Sequence, residues 1–530
     1  MEYLKVLLEQ NQLMSLFLVI AFGYWFGAIN IRGFSLGVGA VLFVGLVVGA
    51  LAPKAAPPGL IGSLGLVMFL YGIGIQYGKH FFAGLTGAAG RRYNLLAVAA
   101  LGVATGIAWA AAYLFDLPAG YIAGMFAGSG TSTATLQAAM EAAGNNNPAI
   151  GYSVAYPFGV IGPILCMYFT ILLVKPKVEE PAGTGLELSE AVVRNPAVIG
   201  KTVAELAGLL PAGIKVFAIR QQEVNKIPSS DIIIEENNTI GMVGGDKNSL
   251  QQALKLLGEA APGSIARDRG NLDYVRLFAS KPTVVGCRLA DLKVPMGAEY
   301  SILHVRRGDA DLLPAPDLIL EFGDRVGMLL DRANLAVFRK YFGDSIKGTT
   351  EFSYVSMGMG MVLGVILGLI SFPVPGVGTM KLGLAGGPLL VSLILGKLGR
   401  TGRLVWTMPL SANLTLRNFG LTIFLAQVGM NSGEKFVTTV QQTGLLFLGV
   451  GAAILLGLVL TTLILGLLMK IPFDDLLGIT AGVTGNPAIA AYAAKQVPTD
   501  RPDIGYAIIF PGATIVKIII VQLIIAFGGN

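Results

Sequence analysis

The chemistry of this chain is concentrated in a few polar residues set inside apolar sequence. Lys517 stands in the run TIVKIIIV, well inside the last apolar stretch and too deep for easy snorkelling. An ammonium at that depth must face a wet cavity or a partner, and is read as functional by default. It could neutralise a substrate carboxylate or stand in for a coupling cation. The competing structural reading pairs it with helix-end carbonyls.

Two further segments carry clustered polar groups among glycines. One reads Gly128-Ser-Gly-Thr-Ser-Thr-Ala-Thr135, the other Gly482-Val-Thr-Gly-Asn-Pro-Ala-Ile489. Glycine and proline at membrane depth interrupt helical hydrogen bonding, which is tolerable only where the freed groups are buried in protein or line a cavity. A helix restarting after each break would offer backbone N–H groups and a positive dipole end to an anion. Ser129, Gly130, Thr131, Ser132 and Thr133 in the first segment, and Thr484, Gly485, Asn486 and Pro487 in the second, are therefore the expected substrate-binding tips. Packing of small residues is the alternative reading.

Weaker candidates are Arg417, suited to a carboxylate or to interfacial anchoring, then Gln76 with its near counterpart Asn431, and Tyr152 with Tyr506. His80 and His304 have no plausible ligand set around them. The chain carries no Walker A run, no strand followed by GxGxxG and no HExxH, so no enzyme, metal or cofactor is expected.

The elements that position these residues follow from composition. With 530 residues, 54% hydrophobic and 13% charged, and a mean hydropathy of +0.68, the chain reads as a polytopic α-helical membrane protein. Apolar stretches able to cross a core of about 30 Å lie near 13–30, 36–52, 62–78, 95–114 and 150–174, then near 353–371, 382–398, 414–433, 444–469 and 504–527. The first is read as a retained helix.

The two sets are copies. Gly124–Ile164 aligns without a gap on Gly478–Ile518, pairing Gly128 with Gly482, Tyr152 with Tyr506 and Pro157 with Pro511, and Gly65–Phe81 aligns on Gly420–Phe436. A duplicated apolar half is the signature of secondary transporters, with the broken segments pointing to the substrate site. Basic residues fall on one side if segments 118–142 and 475–496 enter and return without crossing. That gives five spans plus a re-entrant hairpin in each half, both termini outside, and halves of opposite orientation. A net charge of +6 is thereby an orientation signal and not a nucleic-acid footprint.

Between the halves, charge rises and period-two patterns such as KVFAIR and YSILHVRR appear. This insert repeats too: Pro196 with Pro282, Arg220 with Arg306, Gly241 with Gly327. The expected domains are a first membrane repeat over 1–175, α+β modules over 176–265 and 266–350, and a second membrane repeat over 351–530. Cys166 and Cys287 are too few for a disulfide framework or a metal cluster.

Taken together, LGLVMFLYGIGIQYG with FGLTIFLAQVGMNSG, AGSGTSTAT with AGVTGNPAIAAY, and the paired NPAVIGKTVAEL-type modules resemble the aspartate:alanine exchanger family. The modules are similar to TrkA-C (RCK C-terminal) domains. The resemblance implies an antiporter of the prokaryotic inner membrane that exchanges small amino acids or dicarboxylates, with a cytoplasmic insert. It also implies an elevator-type fold and a homodimer. The modules lack a Rossmann partner, so NAD is not expected; binding of a small-molecule ligand such as a small anion, or dimer contacts, are the roles open to them. The alternatives are a cation channel or cation/proton antiporter gated by those modules, disfavoured because neither tip carries Asp or Glu, and a membrane-embedded sensor.

Overall fold

The computed structural model describes the chain apart from residues 1, 30–36, 177–185, 262, 264, 266–271, 295–298, 308–309, 345–352, 375–377, 500 and 529–530. It forms two compact units, one of Met1–Glu180, Tyr354–Thr401 and Asn413–Asn530, the other of Pro181–Ser353 and Gly402–Ala412.

The first unit is built from helices. They are α1 (Glu2–Gln10), α2 (Gln12–Gly27), α3 (Ala40–Leu51), α4 (Gly59–Thr86), α5 (Ala88–Phe115), α6 (Ala119–Ser129), α7 (Thr133–Ala143) and α8 (Asn147–Val174). Helices α9 to α11 belong to the second unit. The first unit resumes with α12 (Tyr354–Leu369), α13 (Gly383–Leu398), α14 (Leu410–Leu468, in this unit from Asn413 onward), α15 (Phe473–Thr484), α16 (Pro487–Lys495) and α17 (Arg501–Phe527). Among the described residues, five helical stretches are long and apolar enough to cross a membrane: α4, α5, α8, Gly444–Leu468 and α17. The pair α1 and α2 would add a sixth, bent by 107°. The stretches near 36–52, 353–371 and 382–398 form shorter apolar helices.

One expectation changes. The stretches near 414–433 and 444–469 lie in a single 59-residue helix, whereas α4 and α5 are separated at Gly87, whose extended backbone (ψ 146°) closes one helix and opens the next. The sequence VTTVQQT before Gly444 has neither glycine nor proline to end a helix there.

Small residues let these helices approach closely. A methyl group on Gly124 would collide with Pro148 backbone, and one on Gly478, its counterpart, with Pro502 backbone. Gly74 and Gly78 of α4 lie against Ser392 and Leu393 of α13, while their counterparts Gly429 and Gly433 lie against Leu42 and Leu46 of α3.

The second unit holds two α+β modules. In the first, β1 (Glu187–Val193), α9 (Val203–Leu209), β2 (Ile214–Gln221), β3 (Val224–Lys226), β4 (Thr239–Gly244), α10 (Lys247–Leu257) and β5 (Gly258–Ala260) form a sheet of order β3-β2-β4-β1-β5. In the second, β6 (Leu272–Phe278), β7 (Tyr300–Arg307), β8 (Ala310–Leu312), β9 (Arg325–Asp331) and α11 (Leu335–Phe342) give the matching order β6-β9-β7-β8. A bulge after Val216 recurs after Ile302. Helix α9 begins with a capping box between Thr202 and Glu205. The core of the second module includes Phe338, Phe342 and Val405, so the short segment Gly402–Ala412 belongs with this unit although it lies within the expected second membrane repeat.

Candidate functional site: opposed hairpin tips

Each Gly-rich segment is a break between two short helices. Helices α6 and α7 have 11 residues each, and α15 and α16 have 12 and 9. At 1.5 Å per residue each reaches about 14–18 Å, roughly half a bilayer core. Both pairs fold back on themselves. A methyl group on Gly120, at the start of α6, would sit 3.2 Å from the Asn147 Cβ just beyond α7. At the base of the second pair, the Thr499 hydroxyl donates to Asp474 Oδ2 at 3.0 Å.

The tips have related backbone conformations. Thr131 and its counterpart Gly485 both lie in the left-handed region, at φ +42° and +91°. For a β-branched threonine this is strained. Its hydroxyl donates to the Thr484 carbonyl at 3.1 Å, so one tip grips the other. Ser132 caps α7, its Oγ accepting the Thr135 N–H at 3.3 Å. Ser129 donates to the Gly451 carbonyl of α14 at 2.8 Å. Thr133 opens α7 and is buried.

Lys517 completes the arrangement. Its side chain is 1% exposed, and Nζ donates to the Gly130 carbonyl at 3.1 Å and the Thr484 carbonyl at 3.2 Å. Those two carbonyls occupy the same position in the two repeats and end α6 and α15, where the helix dipoles are negative. One ammonium therefore satisfies both broken ends. Lys517 meets helix-end carbonyls, as the structural reading of the sequence requires, and joins the two tips in doing so. Gly130 makes room for it, since a methyl group there would stand 2.9 Å from Nζ.

A second set gathers beside the second tip. Tyr506 donates to the Gly485 carbonyl at 3.5 Å and stacks on Phe510 at 5.0 Å. Tyr77 packs edge-on to Tyr506 at 5.9 Å, and the Arg417 guanidinium lies 5.8 Å from the Tyr77 ring centre. Arg417 is buried, donates through Nη1 to Gln76 Oε1, and has no ion pair among the described residues. Its Nε is buried with no hydrogen-bond partner among the described residues. Tyr152 is separate from this set: it packs on Tyr156 at 5.4 Å, and its hydroxyl has no hydrogen-bond partner among the described residues. The Tyr156 hydroxyl bonds the Asn486 side chain. Pro487 begins α16.

The chain is similar to known proteins over nearly its whole length. The family model described as a predicted permease membrane region, Asp-Al_Ex, matches residues 15–172 and 356–526. The chain belongs to this family. A TrkA-C domain model matches residues 275–343 of the permease, its second α+β module. An uncharacterized transporter of Geobacter sulfurreducens is 40% identical over 98% of this chain and 99% of its own length. Uncharacterized transporters of Corynebacterium diphtheriae and Symbiobacterium thermophilum are 36% and 37% identical, each covering at least 97% of both chains. The permease is thus a multi-pass membrane transporter.

Sequence reasoning missed three parts of the permease site. Tyr77 adjoins Gln76 in sequence yet turns toward Arg417 and Tyr506, which only the packing of α4 reveals. Asn413 Nδ2 donates to the Gly72 carbonyl at 2.9 Å, while its Oδ1 is buried with no partner among the described residues. At the base of the second hairpin, buried Asp475 accepts from Tyr93 at 2.6 Å and from Arg501 Nε at 3.1 Å. The pair Asp474-Asp475 was the available signal, since adjacent carboxylates in an apolar helix require partners.

Proposed function

We propose that this permease is a secondary antiporter, exchanging small amino acids or dicarboxylates across the prokaryotic inner membrane by alternating access. The observation that carries this reading is the Lys517 bridge between Gly130 and Thr484. Two hairpins whose tips meet on a fixed cation form a site that both halves of the protein share, which suits a carrier built from two repeats. The reciprocal packing of Gly65 and Gly420 supports halves of opposite orientation related by an approximate two-fold axis.

Binding follows from the charges. Lys517 already occupies the negative ends of α6 and α15, so it takes the place of a coupling cation. The restarted helices α7 and α16 leave their N-termini for substrate oxygens, with Ser132, Thr133 and Asn486 at the break. Arg417 supplies a guanidinium for a carboxylate. A buried guanidinium without an acidic partner is costly, and a substrate carboxylate would remove that cost when bound. The hairpin-bearing parts would move as an elevator against a dimeric scaffold containing the Gly-rich spans at the start of each half, with the insert in the cytoplasm.

Counterflow in proteoliposomes tests this. Vesicles loaded with alanine, aspartate, glutamate, succinate or nothing are assayed for uptake of the same labelled solutes, with and without ion gradients. Uptake that depends on an internal organic solute is the expected result. Ion flux with no such dependence would transfer the assignment to a gated cation pathway.

A further inference from the structure

The two α+β modules enclose a cavity of about 300 Å³. Its floor is made by equivalent residues of the two copies: Leu186 with Leu272, Phe217 with Leu303, and Val243 with Leu329. The equivalences follow from strand register. Leu188 is paired with Val243 as Tyr274 is with Leu329, and Ala218 is paired with Gly241 as His304 is with Gly327. The modules therefore present like faces to one cavity, and an apolar packing surface would have sufficed to join them.

The polar groups at this cavity are unequally shared. Where the first module has Leu188, Glu190, Ala218 and Asn225, the second has Tyr274, Arg276, His304 and Asp311. Glu190 is turned to structure, accepting the Ile265 N–H at 2.9 Å. Arg276, by contrast, is exposed and held in place by Tyr274, whose hydroxyl accepts its Nε–H at 2.9 Å and lies 3.5 Å from His304 Nε2. Gly327 makes space for the imidazole, since a methyl group there would stand 2.5 Å from it. Across this cationic group, Asp311 Oδ1 is buried and has no donor among the described residues.

We infer that this cavity binds a zwitterionic amino acid with an apolar side chain: the carboxylate on Arg276 and Arg306, the ammonium on Asp311, and the side chain on the leucine and phenylalanine floor. Opposite charges side by side above an apolar cavity match an α-amino acid better than a simple anion, which would leave Asp311 opposed to its charge. Such a site gives the insert a sensing role separate from the hairpin tips, and it does not rest on the transport reading.

The test is isothermal titration of the full-length permease in lipid nanodiscs with L-leucine and L-phenylalanine, against empty nanodiscs. The comparison ligands are 4-methylpentanoate, which lacks the ammonium, and 3-methylbutylamine, which lacks the carboxylate. Both amino acids are expected to bind, and each truncated ligand to bind at least about tenfold more weakly, the scale of one lost charged hydrogen bond. Arg276→Glu and Asp311→Asn install residues that the first module already carries at these positions, so they are compatible with the fold, and each should weaken binding by a similar factor. Arg417→Ala should leave this binding in place, which separates it from binding at the membrane site. Absence of amino-acid binding, binding that disappears only in Arg417→Ala, or binding unchanged in both module variants would overturn the inference. Equal affinity for 4-methylpentanoate would overturn the zwitterion assignment.

Discussion

Gly65 and Gly420 each lie against the other's carbonyl oxygen: a methyl group on either would collide with the backbone of its partner. They are also counterparts in the two repeats, so a single position of the repeat contacts itself, as at a two-fold axis. Replacing either glycine by valine should separate α4 from α14, and the two losses in thermal stability should be alike, about 1–3 kcal/mol for overpacking. Fluorescence size-exclusion melts of both variants check this. A large loss in one and none in the other would contradict the shared axis.

Lys517→Met removes the ammonium while keeping much of the side-chain volume, so that the Gly130 carbonyl loses its donor and the Thr484 carbonyl keeps only the Thr131 hydroxyl. Exchange is expected to fall below a hundredth of wild type while the protein still elutes as a folded species. Gly130→Ala should reproduce much of that loss by pushing Nζ aside. Near-normal counterflow in Lys517→Met would remove this residue from the mechanism.

Arg417 should decide affinity more than turnover. Arg417→Lys keeps a charge but not the planar donor set that reaches Gln76 and stacks on Tyr77. The expected change is a KM for the carboxylate substrate raised about 10–100-fold, as for loss of a charge-assisted hydrogen bond. An unchanged KM would assign Arg417 to structure alone.

Asp475 holds the base of the second hairpin through Tyr93 and Arg501. Asp475→Ala leaves Tyr93 without its acceptor and the half-exposed Arg501 with Asp474 alone, and is expected to cost about 1–3 kcal/mol, as when a buried hydrogen-bonding group loses its partner. Thermal melts should show the loss directly. Tyr93→Phe removes only one hydrogen bond and should cost about 1 kcal/mol.

His304 predicts a pH effect. Burial holds its pKa below the usual 6.5, opposed by Asp311 and reinforced by Arg276 and Arg306, with the Tyr274 hydroxyl beside it. The unfolded chain then takes up the proton more readily than the folded module, so stability is full above the unfolded value and is lost as pH falls through it toward the lower folded value. Hydrogen exchange in strand β7 should therefore quicken between pH 7 and pH 5 beyond its intrinsic pH dependence. His304→Ala should flatten that response, and an identical response in the variant would contradict it.

The class of molecule was legible because its signals are local. A run of apolar residues reports a membrane helix without any knowledge of its neighbours, and an ungapped match between Gly124–Ile164 and Gly478–Ile518 needs only the letters. The helix breaks at Gly130 and Gly485 were legible for the same reason, as was the burial of Lys517. The continuity of α14 was not, because two apolar stretches separated by polar residues read as two spans whether or not the helix runs on between them.

By itself, then, the sequence determined an apolar duplicated transporter with polar breaks at matching positions and a lysine too deep to reach water. Only the tertiary structure decided that Lys517 joins Gly130 to Thr484, that Arg417 meets Gln76 and Tyr77, and that the polar groups of the second module face a cavity whose apolar floor both modules share. The physical reason is distance along the chain. Hydrogen bonds and ring contacts between residues hundreds of positions apart depend on how helices and sheets pack, and periodicity within one element carries no record of its partner.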